Sequence, residues 1–130
     1  MEQLIHKKKI ETPDDIRLLV DTFYEKVKND ALLAPVFEER INGQWGPHLE
    51  KMYKFWQTLL LGQFTYTGNP FRHHALLPVD HAHFVSWMSL FTATLDSLFE
   101  GEKCEEAKVK AATIAATFEA KIVYLQKHNL

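Results

Sequence analysis

Histidine is the residue type in this chain best supplied for chemistry: there are seven, against one cysteine. Their spacing decides what kind of chemistry. His73 and His74 are neighbours, and neighbours on a helix diverge by about 100°. His81 and His83 diverge by about 200° and share the difficulty. Zinc ligands on helices are usually three or four residues apart, often with carboxylates, so no structural zinc site is expected. Cys104 lies in Glu102-Lys103-Cys104-Glu105-Glu106, where acidic neighbours raise a thiol's pKa and weaken it as a nucleophile. The glycines at 43, 46, 62, 68 and 101 match neither nucleotide-binding fingerprint. What remains is one imidazole acting alone, and that suits haem iron, which has four ring nitrogens already and asks the protein for one axial ligand.

The elements that would position such a histidine can be read from proline, glycine and hydrophobic period. Thr12-Pro13-Asp14-Asp15 is a helix start with a capping hydroxyl, proline at the first position and acids in the first turn. Ile16, Leu19, Val20, Phe23 and Val27 then recur at helical spacing, with Tyr24 on the stripe's edge. Leu32 to Phe37 read as a short helical turn leading to a plain turn at Asn42-Gly43. Pro47 opens the next helix and Gly62 stops it. It carries two adjacent stripes: His48, Met52, Phe55, Leu59 and Leu49, Tyr53, Trp56, Leu60. Pro70 and Pro78 bracket Phe71 to Leu77, a segment too short to be a stable helix without tertiary or ligand contacts. Asp80 caps a long helix that ends before Gly101, with Phe84, Trp87, Phe91, Leu95 and Leu98 on one face. A last helix from about Lys103 to Lys127 carries Ala111, Ile114, Ala115, Phe118, Ile122 and Leu125. No strand pattern occurs, so the expected class is all-α.

Polar residues set inside these stripes are the informative ones. His48 shares a face with Met52 and Phe55, Trp87 lies between Phe84 and Phe91, and Tyr24 borders Phe23 and Val27. Each has an ordinary explanation, because Tyr and Trp bury readily with one local hydrogen bond and a histidine near a helix start is commonly a surface or satisfied core residue. Together, a proline-bracketed segment holding His73 and His74 opposite a helix bearing His48 is an arrangement able to hold haem.

Composition narrows the class further. The chain has 130 residues, 46% hydrophobic and 25% charged, an ordinary globular balance. It is expected to form one domain over 1–130, with residues 1–11 as a flexible N-terminal extension. Fifteen basic against seventeen acidic residues give a net charge of −2, leaving no cationic excess for a nucleic-acid backbone. No apolar run is long enough to span a bilayer, and lysines at 7 to 9 stand where a signal peptide needs its apolar core. A soluble, cytoplasmic protein without nucleic-acid or membrane partners is expected.

The order of several short motifs resembles the group III truncated haemoglobins. The resemblance runs from about Ile16 to Leu125 and is carried by Phe23-Tyr24-Glu25-Lys26-Val27, Pro35-Val36-Phe37, His48, Phe55-Trp56 and Leu60-Leu61-Gly62. It continues through Tyr66 to Pro70, the histidine before Leu76-Leu77-Pro78, and Phe84-x-x-Trp87-x-x-x-Phe91. It implies a truncated globin in which two helix pairs form a two-over-two sandwich around haem b. It implies His74 as the axial ligand, with His73 the adjacent alternative, and a distal pocket of Tyr24, His48 and Trp87. Phe37 matches the phenylalanine packed on the haem edge. Phe23, Met52, Phe55, Leu77, Phe84 and Phe91 would complete the pocket, with Lys51 and Arg72 as candidate partners of the haem propionates. The first globin helix is very short or absent here, and the paired-glycine motifs of the other truncated groups are not evident.

Residue types suggest what such a pocket would do. Tyr and Trp donors in an apolar cage would stabilise a partly charged ligand. That slows release of dioxygen and favours ligand chemistry or sensing over bulk transport, with nitric oxide and carbon monoxide as related ligands. Nitric oxide oxidation would need a separate reductase, since no flavin or nicotinamide motif is present, and a peroxidase-like activity is a second enzymatic reading. A monomer is expected. The rival from another class is a cofactor-free helical interaction module, in which the same aromatics are plain core.

Overall fold

The computed structural model describes residues 7–63, 66 and 78–128. Among them are five helices: α1 (Pro13–Lys28), α2 (Leu33–Ile41), α3 (Trp45–Leu61), α4 (His81–Leu98) and α5 (Glu102–His128). The expected all-α class is what the described chain adopts, with a single parallel bridge between Lys8 and Phe99 as its only β pairing.

Helix α1 begins where its cap dictates. The Thr12 hydroxyl accepts the Asp15 N–H at 3.3 Å, while the Asp15 carboxylate accepts the N–H groups of Thr12 at 3.0 Å and Glu11 at 2.9 Å. Such reciprocal capping satisfies donors that would otherwise be orphaned in the first turn. The helix buries Ile16, Leu19, Val20, Phe23, Tyr24 and Val27, the anticipated stripe with Tyr24 added to it.

Two boundaries differ from expectation. Helix α2 runs on to Ile41 before Asn42 turns left-handed at φ 51°, longer than the short turn anticipated. Its start carries no cap from Leu32; instead the Asp30 carboxylate accepts from Leu32 N–H at 3.1 Å and Leu33 N–H at 2.9 Å. Helix α3 starts at Trp45, so Pro47 sits inside its first turn, where proline's missing N–H costs nothing. Gly62 ends α3 at φ 67°, a conformation in which a Cβ is strained.

Helix α1 packs on α3, α4 packs on α5, and α1 also lies against α4. Two pairs joined through α1 and α4 make the two-over-two sandwich. Phe91 is its centre, 1% exposed. Trp56 stacks on it at 4.9 Å and Trp87 at 5.3 Å, and Phe23 meets it edge-on at 5.1 Å. Buried Cys104, Ala107 and Ala111 let α5 approach α4 closely. On the outer side, the Tyr53 hydroxyl donates to Asp21 and the Arg17 guanidinium lies 4.3 Å from the Tyr53 ring centre, tying α3 to α1. Burial and the Asp21 carboxylate push the Tyr53 phenol up to about 12.

Part of the stretch expected to be a flexible extension is docked. Lys8 N–H donates to Leu98 O at 3.2 Å and Glu100 N–H to Lys8 O at 2.9 Å. Ile10 is 2% exposed. Burying Ile10 in the core contributes on the order of 2 kcal/mol, which offsets part of the cost of ordering this stretch.

Candidate functional site

Where the two helix pairs separate, a cleft of about 100 Å³ opens towards solvent. Helix α1 supplies Tyr24 to its walls, α2 supplies Leu33 and Phe37, and α3 supplies Met52, Phe55 and Trp56. Opposite stand His83, Phe84 and Trp87 of α4, and Ile114, Ala115, Phe118 and Ile122 of α5. Protein interiors are packed to crystal-like density, so an apolar, aromatic-lined opening amid a packed core has the character of a ligand site.

Tyr24 is at the head of the cleft, at the meeting point of four rings. Phe23 lies 5.0 Å away, His48 5.0 Å, Phe37 6.0 Å and Trp45 6.0 Å, all edge-to-face. Burial drives its phenol well above the ordinary value of 10, so the hydroxyl keeps its proton and can donate. Trp87 faces the same space. Its ring is held parallel to Phe91, with planes 2° apart, and Phe23 meets it edge-on at 5.5 Å. Two residues able to donate, from different helices, therefore line one apolar cleft, each with its ring orientation set by packing.

The other site residues named from sequence fall in different places. Phe37, Met52, Phe55 and Phe84 line the cleft beside Tyr24 and Trp87. Phe23 and Phe91 lie behind the wall as its support. His48 is wedged between Tyr24 and Trp45, with ring centres 5.0 Å and 6.0 Å away and its Nε2 buried. Lys51 is exposed and is not part of the cleft wall. Arg72, His73, His74 and Leu77 lie outside the described residues.

Sequence reasoning used His83 only to reject a zinc pair. The structure puts it in the cleft wall. Its side chain is 15% exposed, with Nδ1 3.1 Å from Asp80 Oδ1, and the Asp80 N–H also points at Nδ1 from 3.1 Å. The hydrogen bond from His83 holds the Asp80 carboxyl below its ordinary range. Asp80-x-x-His83 is the spacing of a helix capping box, and that was the available signal. The α5 wall was likewise read as plain core stripe. Beside it, His81 Nδ1 lies 2.8 Å from Glu119 Oε2 and Gln126 Nε2 donates to Val79 O at 3.4 Å, binding α4 and its lead-in to α5.

One other cluster deserves a chemical reading. Asp96, Cys104 and Glu105 bring ligand atoms within 4.8 Å of one another. Lys108 Nζ, however, lies 2.6 Å from Asp96 and 3.0 Å from Glu105, so a lysine already neutralises that cluster. Among the described residues, no helix is long and apolar enough to cross a membrane.

A family model described as bacterial-like globin matches residues 8–120. The chain belongs to the bacterial-like globin family. This globin is 33% identical over 110 residues to the Group 3 truncated hemoglobin ctb of Campylobacter jejuni, covering 82% of this chain and 87% of that one. Its fold matches the crystal structure of a group III truncated hemoglobin from Campylobacter jejuni with a TM-score of 0.83 and 30% identity. That match covers 90% of this chain and 95% of the other. The resemblance read from the sequence motifs is thus borne out at the level of family and fold. Membership of a globin family implies haem binding and small gaseous ligands such as dioxygen. The cleft fits that cofactor: its walls are apolar and aromatic, as a flat hydrophobic macrocycle requires, and its polar groups are few and localised.

Proposed function

We propose that this globin holds haem b in the cleft through His74 and uses Tyr24 and Trp87 to retain dioxygen for chemistry with nitric oxide or for sensing, not for bulk delivery. The observation that supports the reading is that Tyr24, with its hydroxyl protonated, and Trp87, two residues able to donate, line one apolar space from α1 and α4. Haem supplies an iron centre that coordinates a diatomic ligand and lends it partial negative charge. The protein's part is to meet that charge with fixed donors and to keep water out. A hydrogen bond to a charged acceptor contributes about 1.5–3 kcal/mol, and each 1.4 kcal/mol or so is tenfold in an equilibrium. Two such donors make a poor carrier and a good retainer.

His48 packs against Tyr24, where it serves either as a gate to solvent or as a further donor to the ligand. If nitric oxide is the co-substrate, its conversion with dioxygen to nitrate removes one electron from the cofactor. A separate reductase must return that electron. The protein is read as a cytoplasmic monomer.

Measuring dioxygen release by stopped flow tests this. Trp87→Phe should speed release on the order of ten- to a hundredfold while leaving carbon monoxide release nearly unchanged, because that ligand carries little charge. Unchanged dioxygen release would reduce Trp87 to packing and end the retention reading. Nitric oxide consumption with a reductase supplied then separates enzyme from sensor.

A further inference from the structure

We propose that His83, oriented by Asp80, is the cleft-mouth donor that binds a haem carboxylate. This rests on haem occupying the cleft. Two observations lead to it. The first is position. Asp80 and His81 have side chains 76% and 77% exposed, while that of His83 is only 15% exposed. His83 thus stands where the apolar wall meets solvent. A charged group cannot be carried into an apolar cavity without a large cost, so the two carboxylates of haem must stay at the mouth while the ring enters. The second is the inventory of the wall. Among the described lining residues there is no lysine or arginine, and Lys51, the candidate suggested by sequence, is off the wall.

The chemistry of His83 suits the role. Asp80 engages Nδ1 through both its carboxylate and its N–H, which fixes the ring and leaves Nε2 for a ligand. In the neutral ring, Nδ1 accepts the Asp80 N–H and Nε2 carries the proton. In the imidazolium, both nitrogens donate, one to Asp80 and the other outward. Nε2 is a donor in both of these forms; the remaining tautomer, neutral with its proton on Nδ1 towards Asp80, offers only a lone pair, and a carboxylate ligand selects against it. A carboxylate that orients a histidine from behind, so that its other nitrogen can bind, is a common arrangement at cofactor sites, and a bond from imidazolium to carboxylate is charge-assisted.

The test compares haem with haem dimethyl ester, whose carboxylates are blocked. Each is bound to wild type, to His83→Phe and to His83→Gln, and its transfer to excess apomyoglobin is timed. Wild type should lose haem slowly and the ester at least about tenfold faster. His83→Phe should speed haem loss by about tenfold while leaving ester loss unchanged. His83→Gln keeps an N–H donor and should fall between. Equal acceleration of both ligands by His83→Phe, or no acceleration of haem loss, would overturn the proposal while leaving haem binding intact. Failure of wild type to take up either ligand would instead overturn the haem reading, and this one with it.

Discussion

The rings of Tyr24 and His48 meet edge to face, with centres 5.0 Å apart and planes at 87°. Trp45 closes the far side of His48 at 6.0 Å. A movement of the imidazole would therefore leave one side of the Tyr24 ring unsupported, and a gating role for His48 would couple access to ligand retention through this contact.

The first prediction concerns that coupling. His48→Leu removes an imidazole from between two aromatic rings and replaces it with a side chain of different shape. As the gate, His48 should alter carbon monoxide association several-fold when replaced, read by flash photolysis. If dioxygen dissociation changes instead, His48 is a donor. If neither changes, it is structural packing for Tyr24.

Tyr24 and Trp87 should act together. Tyr24→Phe keeps the four ring contacts and deletes only the hydroxyl, so it should speed dioxygen release on the order of tenfold or more with little loss of stability. Because both donors face one acceptor, Tyr24→Phe combined with Trp87→Phe should fall short of the summed single effects. Strict additivity in the double-mutant cycle would mean that the two groups do not share a ligand.

Phe91 carries the packing of the site. It stacks against Trp56 and Trp87 and meets Phe23 edge-on, so truncation removes support from the distal wall. Phe91→Ala should cost about 3–5 kcal/mol of stability, measured by urea unfolding of the apoprotein. A cost below about 1 kcal/mol would show a core able to collapse around the gap.

Asp15 gives a pH-dependent prediction. Burial pushes its carboxyl up, but the N–H groups of Glu11 and Thr12, the Thr12 hydroxyl and Lys8 outweigh that and leave it below 3.8. A carboxyl whose folded pKa is depressed stabilises the fold above its unfolded value, and that contribution is lost as pH falls through the folded value. The stability gap between wild type and Asp15→Asn should therefore be full at about pH 6 and shrink towards about pH 2. A gap independent of pH would mean that the capping carboxylate gains nothing from its charge.

Local signals made much of this fold readable. Thr12 and Asp80 are caps, Gly62 is a stop, and the α1 stripe is buried as its period requires. The far end of α2 escaped because Glu38-Glu39-Arg40 carry no apolar stripe, and Ile41 is the one buried residue after Leu33. The bridge between Lys8 and Phe99 pairs positions far apart in sequence, and no local pattern encodes it. Periodicity also cannot say whether a half-buried face meets core or cleft. Ile114 and Phe118 follow the same stripe as Ala111, yet they line the cleft while Ala111 is buried in the core. For the same reason the sequence did not separate Lys51, which is exposed and off the cleft wall, from His83, which lines it.

The central claim is that the cleft takes haem through His74, and the absorption spectrum of the reconstituted protein tests it most directly. Stoichiometric haem added to the apoprotein should give a Soret band and, on reduction, a five-coordinate ferrous spectrum. His74→Leu should abolish or scramble that spectrum, while His73→Leu should leave it nearly intact. No Soret band would return the chain to a cofactor-free helical module, and loss of the spectrum in His73→Leu with its retention in His74→Leu would contradict the assignment of His74.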